Sequence, residues 1–216
     1  MSKERTGCFI AVEGADGVGK STVLRLLLPQ LLADGKTSGV LFFHWKPVNA
    51  NLHEGGIPET VAQDPRGSTP RNAVSSLIYL GYHWLSFLFG YIKYVAPALR
   101  AGKLVIADRY TYDVMLDPRR FRLNVPKWML RVFVQTLPQP DVVLALVAEP
   151  ETIVARKHEL TVDEINTYQN QLKAGIISNL LLVQADASPE QVAEDAFVKI
   201  SDAIRNSKQR KSAQNG

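Results

Sequence analysis

The sequence predicts an α/β protein built on a five-stranded, parallel, doubly wound sheet. Five short apolar runs, residues 8–12, 40–45, 104–107, 142–147 and 180–183, alternate with segments of helical periodicity. Uninterrupted apolar runs are typical of strands buried on both faces. Their alternation with helices is typical of parallel strands joined by helical crossovers. A chain of 216 residues suits one such domain with a sizeable core.

The composition limits the kinds of partner that we expect this protein to bind and the compartment in which we expect it to lie. Of the net charge of +4, three charges lie in the tail segment KQRK at 208–211, so the rest of the chain is nearly neutral. It therefore carries no electrostatic footprint for a nucleic-acid polymer. The one cysteine, Cys8, excludes an internal disulfide, and the first residues contain no apolar signal region. We expect a cytoplasmic protein.

A glycine-rich turn follows the first predicted strand. Residues 14–21, GADGVGKS, fit the pattern G-x-x-x-x-G-K-[ST] at every fixed position. Glycines let successive backbone N–H groups face phosphate oxygens, and the next helix adds its positive N-terminal dipole. Lys20 would reach the β- and γ-phosphates of a nucleotide, and the Ser21 hydroxyl would bind Mg²⁺. The alternative is a strand–turn–helix corner with chance glycines.

This turn predicts a P-loop NTPase fold, a three-layer sandwich with helices on both faces of the sheet. The candidate nucleotide-binding residues are Gly14, Ala15, Asp16, Gly17, Val18, Gly19, Lys20, Ser21 and Thr22.

The second strand ends at Lys46 and Pro47, since proline lacks a ladder donor. Residues 47–72 are rich in Pro, Gly, Asn and Asp and show no periodicity. A loop this long in a compact domain is usually functional or disordered. We expect a mobile loop in contact with the substrate.

Residues 77–92 form the most apolar run of the chain. At 16 residues it is shorter than the roughly 20 that span a bilayer, it contains His83, and Pro97 follows it. We expect a buried core helix, no membrane span, and a histidine packed in the core. Exposed Tyr and Trp side chains on one face would instead provide a homodimer contact or an interfacial patch.

The third strand ends in Asp108, Arg109 and Tyr110. Open α/β sheets bind ligands at the carboxyl ends of their strands, and an Asp here can hold Mg²⁺ through water. The alternative role for Asp108 is a helix or turn cap. Further on, Arg119, Arg120 and Arg122 are either a clamp for an anionic substrate or surface charge.

The remaining elements complete one domain over residues 1–206. They are a helix over 125–137, strand 142–147, a helix from Pro150, a helix after the capping-box sequence TVDE at 161–164, strand 180–183, and a last helix ending near Arg205. Arg156 and Lys157 at a helix break predict a lid at about 156–163, which could neutralise charge on a phosphoryl group. We expect a disordered basic tail over 207–216.

The glycine-rich turn with its preceding Glu13, the Asp108–Arg109–Tyr110 sequence and Arg156 near a lid together resemble the thymidylate kinase family of nucleoside monophosphate kinases. The resemblance covers residues from about 7 to 205. A closer one is to thymidylate-kinase-like proteins often encoded near bacterial polysaccharide genes, which share the long aromatic helix and the sequence DPRR at 117–120.

The resemblance implies phosphoryl transfer from ATP with Mg²⁺ to a small acceptor, a nucleoside monophosphate such as dTMP. It assigns Asp16 to the sugar hydroxyl of the acceptor, Arg109 to its phosphate and Arg156 to the transferred group. The candidate catalytic residues are Lys20, Arg109 and Arg156; the metal candidates are Ser21 and Asp108; the substrate-binding candidates are Asp16, Lys46, Arg109, Tyr110, Arg119 and Arg120.

The acceptor half departs from the family pattern. Lys46 stands where thymidylate kinases carry an arginine, Asp113 replaces a serine, and their downstream Tyr-Gln has no counterpart. Three hypotheses remain open: a nucleoside monophosphate kinase, a kinase for a deoxynucleoside, sugar or glycan precursor, and a nucleotide-binding regulatory protein without turnover.

Overall fold

The computed structural model describes residues 7–33, 37–48, 52–54 and 71–214, with side chains as far as residue 206. One six-stranded sheet has the order β3-β2-β4-β1-β5-β6. The strands are β1 Cys8–Glu13, β2 Val40–His44, β3 Leu52–Glu54, β4 Leu104–Asp108, β5 Val142–Val147 and β6 Leu180–Gln184.

The five predicted parallel strands are all present. Strand β1 lies at the centre, where Ile10 pairs with Ile106 of β4 and with Val142 of β5. Every residue of β4 and β5 is buried, as the apolar runs predict. The carboxyl ends of β1, β2, β4, β5 and β6 therefore meet at one edge of the sheet.

The sixth strand, β3, pairs antiparallel with β2 and lies within the segment predicted as a mobile loop. Three residues are too few to show a periodicity, so this strand has no recognisable sequence pattern. Residues 49–51 and 55–70 of the predicted loop lie outside the described residues.

Eight α-helices are described. They are α1 Lys20–Ala33, α2 Ala73–Gly90, α3 Ala96–Arg100, α4 Asp113–Leu116, α5 Lys127–Gln135, α6 Pro150–Arg156, α7 Val162–Lys173 and α8 Pro189–Gln214. Helix α6 has proline in its first turn, and Thr161 and Glu164 form the predicted capping box of α7. Helices α1 and α8 pack on each other. The result is the predicted α/β arrangement of helices around a mostly parallel sheet.

Helix α2 continues through a five-residue π-helical turn, Tyr91–Val95, into α3. Proline at position 97 lacks an N–H and its ring would clash with the carbonyl four residues earlier. A wider turn relieves that clash: the N–H of Ala96 donates to the carbonyl of Tyr91, five residues back. The single predicted helix is thus continuous but changes its hydrogen-bond pattern before the proline.

The prediction of a buried core helix holds for only one face of α2. Ser76, Leu80, His83 and Phe87 are buried, and His83 is packed in the interior as expected. The opposite face, here called the α2 stripe, exposes Val74, Leu77, Ile78, Tyr82, Leu85 and Phe89, with Ile92 continuing it. None of the described helices is both long enough and apolar enough to cross a membrane.

The last helix corrects the predicted tail. Helix α8 extends to Gln214, past the expected end near Arg205. Residues 190–214 contain neither glycine nor proline and are rich in Lys, Arg, Gln and Ala, which favour helix. Polarity alone is therefore no sign of disorder here.

Two glycines of α2 form a matched pair for a stability test. A Cβ on Gly90 would lie 2.0 Å from the carbonyl oxygen of Pro47, whereas a Cβ on Gly81 meets nothing within 4 Å. We expect Gly90→Ala to destabilise the protein by about 1–3 kcal/mol through overpacking. Gly81→Ala should stabilise it by up to about 1 kcal/mol through helix propensity. Urea unfolding at pH 7 measures both, and equal midpoints would contradict the close approach of α2 to Pro47.

Candidate active site

A cleft of about 440 Å³ opens at the carboxyl ends of the parallel strands. It is lined by Asp16, Gly17, Gly19, Lys20, Ser21, Thr22, His44, Asp108, Arg109, Arg120, Arg156, Lys157 and Glu159. The glycine-rich turn, the ends of β2 and β4 and the segment after α6 therefore contribute to one site, at the edge where open α/β sheets bind ligands.

The glycine-rich turn has the backbone that its sequence predicts. Gly14, Gly17 and Gly19 have φ values of 146°, 89° and 102°, which side chains other than glycine rarely allow. The Lys20 ammonium lies 2.8 Å from the carbonyl oxygen of Gly14 and 3.1 Å from that of Ala15. Burial, with the Arg109 charge, lowers the pKa of Lys20 to about 8. The lysine is thus held inside the turn by acceptors weaker than a phosphate.

Asp108 and Ser21 both line the cleft. Asp108 is buried, and its Oδ2 lies 3.2 Å from Nδ1 of His44. Its Oδ1 has no hydrogen-bond partner in the part of the chain that the structure describes. Burial would raise the pKa of Asp108, but the His44 hydrogen bond and the Lys20 charge more than offset it, so the pKa is lowered. An ionised carboxylate with one unpartnered oxygen fits a role at a hard cation.

Within the described part of the chain, no group of three or more His, Cys, Asp or Glu side chains is placed to hold a metal ion. A Mg²⁺ ion usually keeps several waters and takes its other ligands from one or two carboxylates and substrate phosphates. Ser21 and Asp108 are the residues that fit such an ion.

Arg109 follows β4 in the left-handed region, with φ of 67°. Such a conformation in a residue with a side chain is strained, and strain of this kind clusters at functional sites. The Arg109 N–H donates to the carbonyl of Val12, which fixes the residue to the central strand. Its side chain is only 3% exposed, so its charge needs partners.

Two carboxylates satisfy the Arg109 guanidinium. Its Nη1 lies 2.9 Å and 2.8 Å from the two carboxylate oxygens of Asp113, and its Nη2 donates to Oδ1 of Asp16. Burial would lower the pKa of Arg109, but Asp113 and Asp16 raise it well above its usual range. Arg109 is therefore a permanent cation balanced by two anions.

Asp113 is itself tied to the glycine-rich turn. The Tyr168 hydroxyl lies 3.3 Å from Oδ1 of Asp113 and accepts the N–H of Gly14 at 3.1 Å. Glu13, which is fully buried, accepts the N–H of Tyr110 at 3.0 Å. Burial and the nearby Asp113 charge raise the pKa of Glu13 well above its usual value. These contacts join the turn, the end of β4 and helix α7.

The arginines after α4 lie in different surroundings. Nη1 of Arg120 lies 3.0 Å from Oδ2 of Asp16, and Arg120 lines the cleft. Arg119 instead points outward, with its side chain 85% exposed and 3.7 Å from Glu164. Neighbouring residues in a turn face different ways, so of these two predicted substrate-binding residues Arg120 lies in the cleft and Arg119 lies outside its lining.

Two other substrate-binding candidates also lie outside the cleft lining. Lys46 rests over the rings of Trp45 and Tyr82, at 5.3 Å and 5.1 Å. Tyr110 is fully buried, and its hydroxyl donates to the carbonyl of Pro138. Tyr110 therefore has a packing role, and Lys46 faces an aromatic cluster beside the cleft.

At the opposite side of the cleft, helix α6 ends at Arg156. Arg156 lines the cleft and its Nη1 lies 3.4 Å from the carbonyl of Ala185. Lys157 pairs with Glu159 at 3.0 Å. A Cβ on Gly17 would lie 2.9 Å from the Cβ of Lys157, so the predicted lid begins in close contact with the glycine-rich turn.

An aromatic cluster lies between β2 and α2. Trp45, which has φ of 60°, stacks on Phe121 at 5.0 Å and lies 4.6 Å from the His83 ring, which also contacts Tyr79 at 4.0 Å. Three buried polar atoms in and beside this cluster have no hydrogen-bond partner among the described residues: Trp45 Nε1, His83 Nδ1 and Arg71 Nε. Such atoms mark a place where a polar ring could be recognised.

Sequence reasoning missed four residues of this site. His44 lies within the apolar run 40–45, Glu159 lies within the predicted lid, and Tyr168 belongs to no sequence motif. Asp113 differs from the family pattern, but the sequence does not indicate its partner. For His44 the available signal was its position at a carboxyl strand end, whereas the Asp113–Arg109 and Tyr168–Gly14 contacts depend on tertiary structure.

The thymidylate kinase family model matches residues 12–174, more than half of the chain. The chain belongs to the thymidylate kinase family. Membership of this family makes it a nucleotide kinase, a phosphotransferase.

Individual members of the thymidylate kinase family are distant from this chain. The thymidylate kinase of Enterococcus faecalis is 25% identical over 172 residues, covering 76% of this chain and 75% of that protein. That of Lacticaseibacillus casei is 31% identical over 110 residues, 49% of this chain and 45% of that protein. A Methanosarcina acetivorans protein named "Probable thymidylate kinase" is 27% identical over 221 aligned positions, which cover 92% of this chain and 98% of that protein.

The buried His83 predicts sensitivity to acid. Burial, with the Lys46 and Arg71 charges, lowers the pKa of His83 from 6.5 to about 3. The unfolded chain therefore binds more protons between these values, so stability should fall as the pH drops from about 6.5 toward 3. Replacing His83 by Gln removes this contribution.

We expect the loss of stability between pH 7 and pH 5, measured by urea unfolding, to be smaller in His83→Gln than in the parent protein. His158→Gln, at an exposed position, is the matched control. An identical loss in all three proteins would show that His83 is not the titrating group.

Proposed function

We propose that the protein transfers the γ-phosphoryl group of ATP to a small acceptor, with a nucleoside monophosphate such as dTMP as the expected acceptor. The observation that carries the proposal is the meeting of Lys20, Asp108, Arg109 and Arg156 in one cleft at the strand ends. Phosphoryl transfer is catalysed by positioning and by charge stabilisation, and these residue types supply both.

The donor half consists of the glycine-rich turn and the start of helix α1. Its backbone N–H groups and the α1 dipole would hold the nucleotide phosphates. Lys20 would exchange its two carbonyl acceptors for phosphate oxygens, a gain because hydrogen bonds between charged groups are stronger. Arg156, across the cleft, would balance charge that develops on the transferred group.

A Mg²⁺ ion is the expected cofactor. Ser21 and Asp108 would hold it, directly or through water, and it would neutralise charge on the nucleotide phosphates. The unpartnered Oδ1 of Asp108 supports this proposal. The hydrogen bond between His44 and Oδ2 orients the same carboxylate.

The acceptor half is formed by Asp16, Arg109 and Arg120. Two guanidinium groups at one place suit a phosphate, which they recognise with fixed geometry. The unpartnered atoms of Trp45, His83 and Arg71 beside the cleft support an acceptor that carries a hydrogen-bonding ring. Together these features favour a nucleoside monophosphate.

One observation favours a second candidate, an uncharged hydroxyl acceptor such as a nucleoside or sugar. Asp16 and Asp113 balance the charges of Arg109 and Arg120, and carboxylates are good acceptors for hydroxyl groups. The resemblance to proteins encoded near polysaccharide genes points the same way and stays a prediction, as does the cytoplasmic location.

The test of function is ADP release from ATP and Mg²⁺ across a panel of acceptors that includes dTMP, thymidine and free sugars. We expect dTMP to stimulate release most strongly. Lys20→Ala should lower the stimulated rate by 10²-fold or more, about 2.7 kcal/mol, because a contact with transition-state charge is lost.

Lys127→Ala removes the same charge at an exposed position outside the cleft and is the matched control. We expect it to retain the parent rate. If no acceptor stimulates ADP release, or if Lys20→Ala keeps the parent rate, phosphoryl transfer by this cleft is excluded.

We further propose that the protein forms a homodimer through the α2 stripe. Its side chains recur every three or four residues along more than four turns of helix, and several are more than half exposed, among them Ile78 at 69% and Phe89 at 66%. A continuous apolar patch of this kind typically marks a protein contact. A two-fold interface uses the same surface patch of both copies, so the α2 stripe of one copy would pack against the α2 stripe of the other.

Analytical ultracentrifugation tests this interface. We expect the parent protein to sediment as a dimer and the double variant Ile78→Lys, Phe89→Lys to sediment as a monomer. The free energy of unfolding of the monomer itself, measured in urea, should be unchanged by the two substitutions. Val198→Lys, at an exposed apolar position on α8, should remain dimeric. A parent protein that sediments as a monomer at high micromolar concentration would contradict the proposal.

A further inference from the structure

Arg109 and Arg120 converge on one carboxylate. Asp16 accepts from Nη2 of Arg109 through Oδ1 and from Nη1 of Arg120, at 3.0 Å, through Oδ2. A carboxylate that bridges two guanidinium groups in this way occupies the position that an oxyanion of a ligand would take between them.

The two carboxylates on Arg109 differ in how easily a ligand could replace them. Asp113 is fully buried, does not line the cleft, and is also held by Tyr168. Asp16 lines the cleft, and its side chain is 14% exposed. A ligand entering the cleft can reach the place of Asp16 but not that of Asp113.

We propose that Asp16 is an exchangeable stand-in for the acceptor phosphate, and that the acceptor displaces it from a cradle formed by Arg109 and Arg120. Asp113 remains in place and keeps Arg109 fixed during the exchange. This inference rests on the proposed function and deepens it, because it gives Asp16 an exchangeable position in the site and names Arg120 as a residue that determines specificity.

Charge explains why the exchange would select phosphate monoesters. A phosphate monoester carries about −1.5 to −2 at pH 7 and three acceptor oxygens, against one charge and two oxygens for Asp16. The phosphate can therefore accept the two hydrogen bonds that Asp16 accepts from the arginines, and it has an oxygen left for a third. An acceptor with an uncharged hydroxyl group cannot balance the positive charges of the two arginines, so Asp16 would stay between them.

The exchange also links the two halves of the site. Asp16 belongs to the glycine-rich turn, between Ala15, whose carbonyl holds Lys20, and Gly17. Binding of the acceptor phosphate would thus rearrange a side chain of the turn that binds the donor.

Equilibrium binding tests the exchange without turnover. Calorimetry measures the dissociation constants of thymidine and dTMP in the presence of saturating AMP-PNP, which fills the donor half. The ratio of the two constants, here called the phosphate preference, measures the contribution of the phosphate group to binding.

We expect Asp16→Asn to raise the phosphate preference about tenfold, because the phosphate no longer competes with a charged side chain. Arg120→Gln should lower it by about tenfold or more, the usual effect of losing one hydrogen bond between charged groups. In the double variant, the gain from Asp16→Asn should shrink, since the two residues act in one network. Arg120→Lys keeps the charge, and should lower the preference less than Gln does.

Arg119→Gln is the matched control, because it removes an equal charge from the adjacent, exposed position. It should leave the phosphate preference unchanged. An unchanged or lowered preference in Asp16→Asn, or an equal response to Arg119→Gln and Arg120→Gln, would overturn the exchange.

The outcomes separate this inference from the proposed function. If neither thymidine nor dTMP binds, while ADP release identifies another acceptor, the same ratio is measured with the phosphorylated and unphosphorylated forms of that acceptor. If the phosphorylated form does not bind, the exchange is wrong although the kinase proposal stands. Absence of ADP release with every acceptor overturns the kinase proposal, while the binding ratios still decide the exchange.

Discussion

The buried ion pair between Arg109 and Asp113 is the interaction on which the site depends. A guanidinium with 3% exposure would be prohibitively costly without a carboxylate partner, and loss of one member of such a pair typically costs about 3–5 kcal/mol. The same pair compensates the left-handed backbone of Arg109. Through Tyr168 it also fixes the first residue of the glycine-rich turn. One interaction therefore sets the relative positions of donor and acceptor residues.

The two strands that flank the acceptor side end in a similar way. Strand β2 is followed by Trp45 and strand β4 by Arg109, and both residues adopt positive φ. The N–H of Trp45 donates to the carbonyl of Asp108, so the two chain reversals are directly connected. This arrangement turns Trp45 toward the aromatic cluster and Arg109 toward the cleft. The positive φ values at these two positions thus send the two side chains in different directions from neighbouring strand ends.

Local sequence patterns predicted most of the fold, and part of the site. Apolar runs located the five parallel strands, and the glycine spacing located the phosphate-binding turn, because both signals arise from neighbouring residues. The short strand β3 had no periodic signal, and the exposed half of α2 could not be recognised because its side chains are as apolar as the buried half. Tertiary contacts decided the roles of the arginines: Arg119 and Arg120 are adjacent in sequence, yet only Arg120 reaches Asp16. No spacing rule distinguishes them.

The order of the strands has a consequence for how the chain folds during synthesis. Strands β1 and β2 are made first but do not pair with each other. Both pair with β4, and β1 gains its second neighbour only when β5 has been made. The phosphate-binding turn therefore cannot acquire its final surroundings until residue 147 has left the ribosome. Long-range parallel pairing of this kind is slow and leaves apolar strands uncovered in the meantime. The apolar residues of β1 and β2 in the nascent N-terminal third of the chain accordingly stay without their parallel neighbours until β4 and β5 have been made.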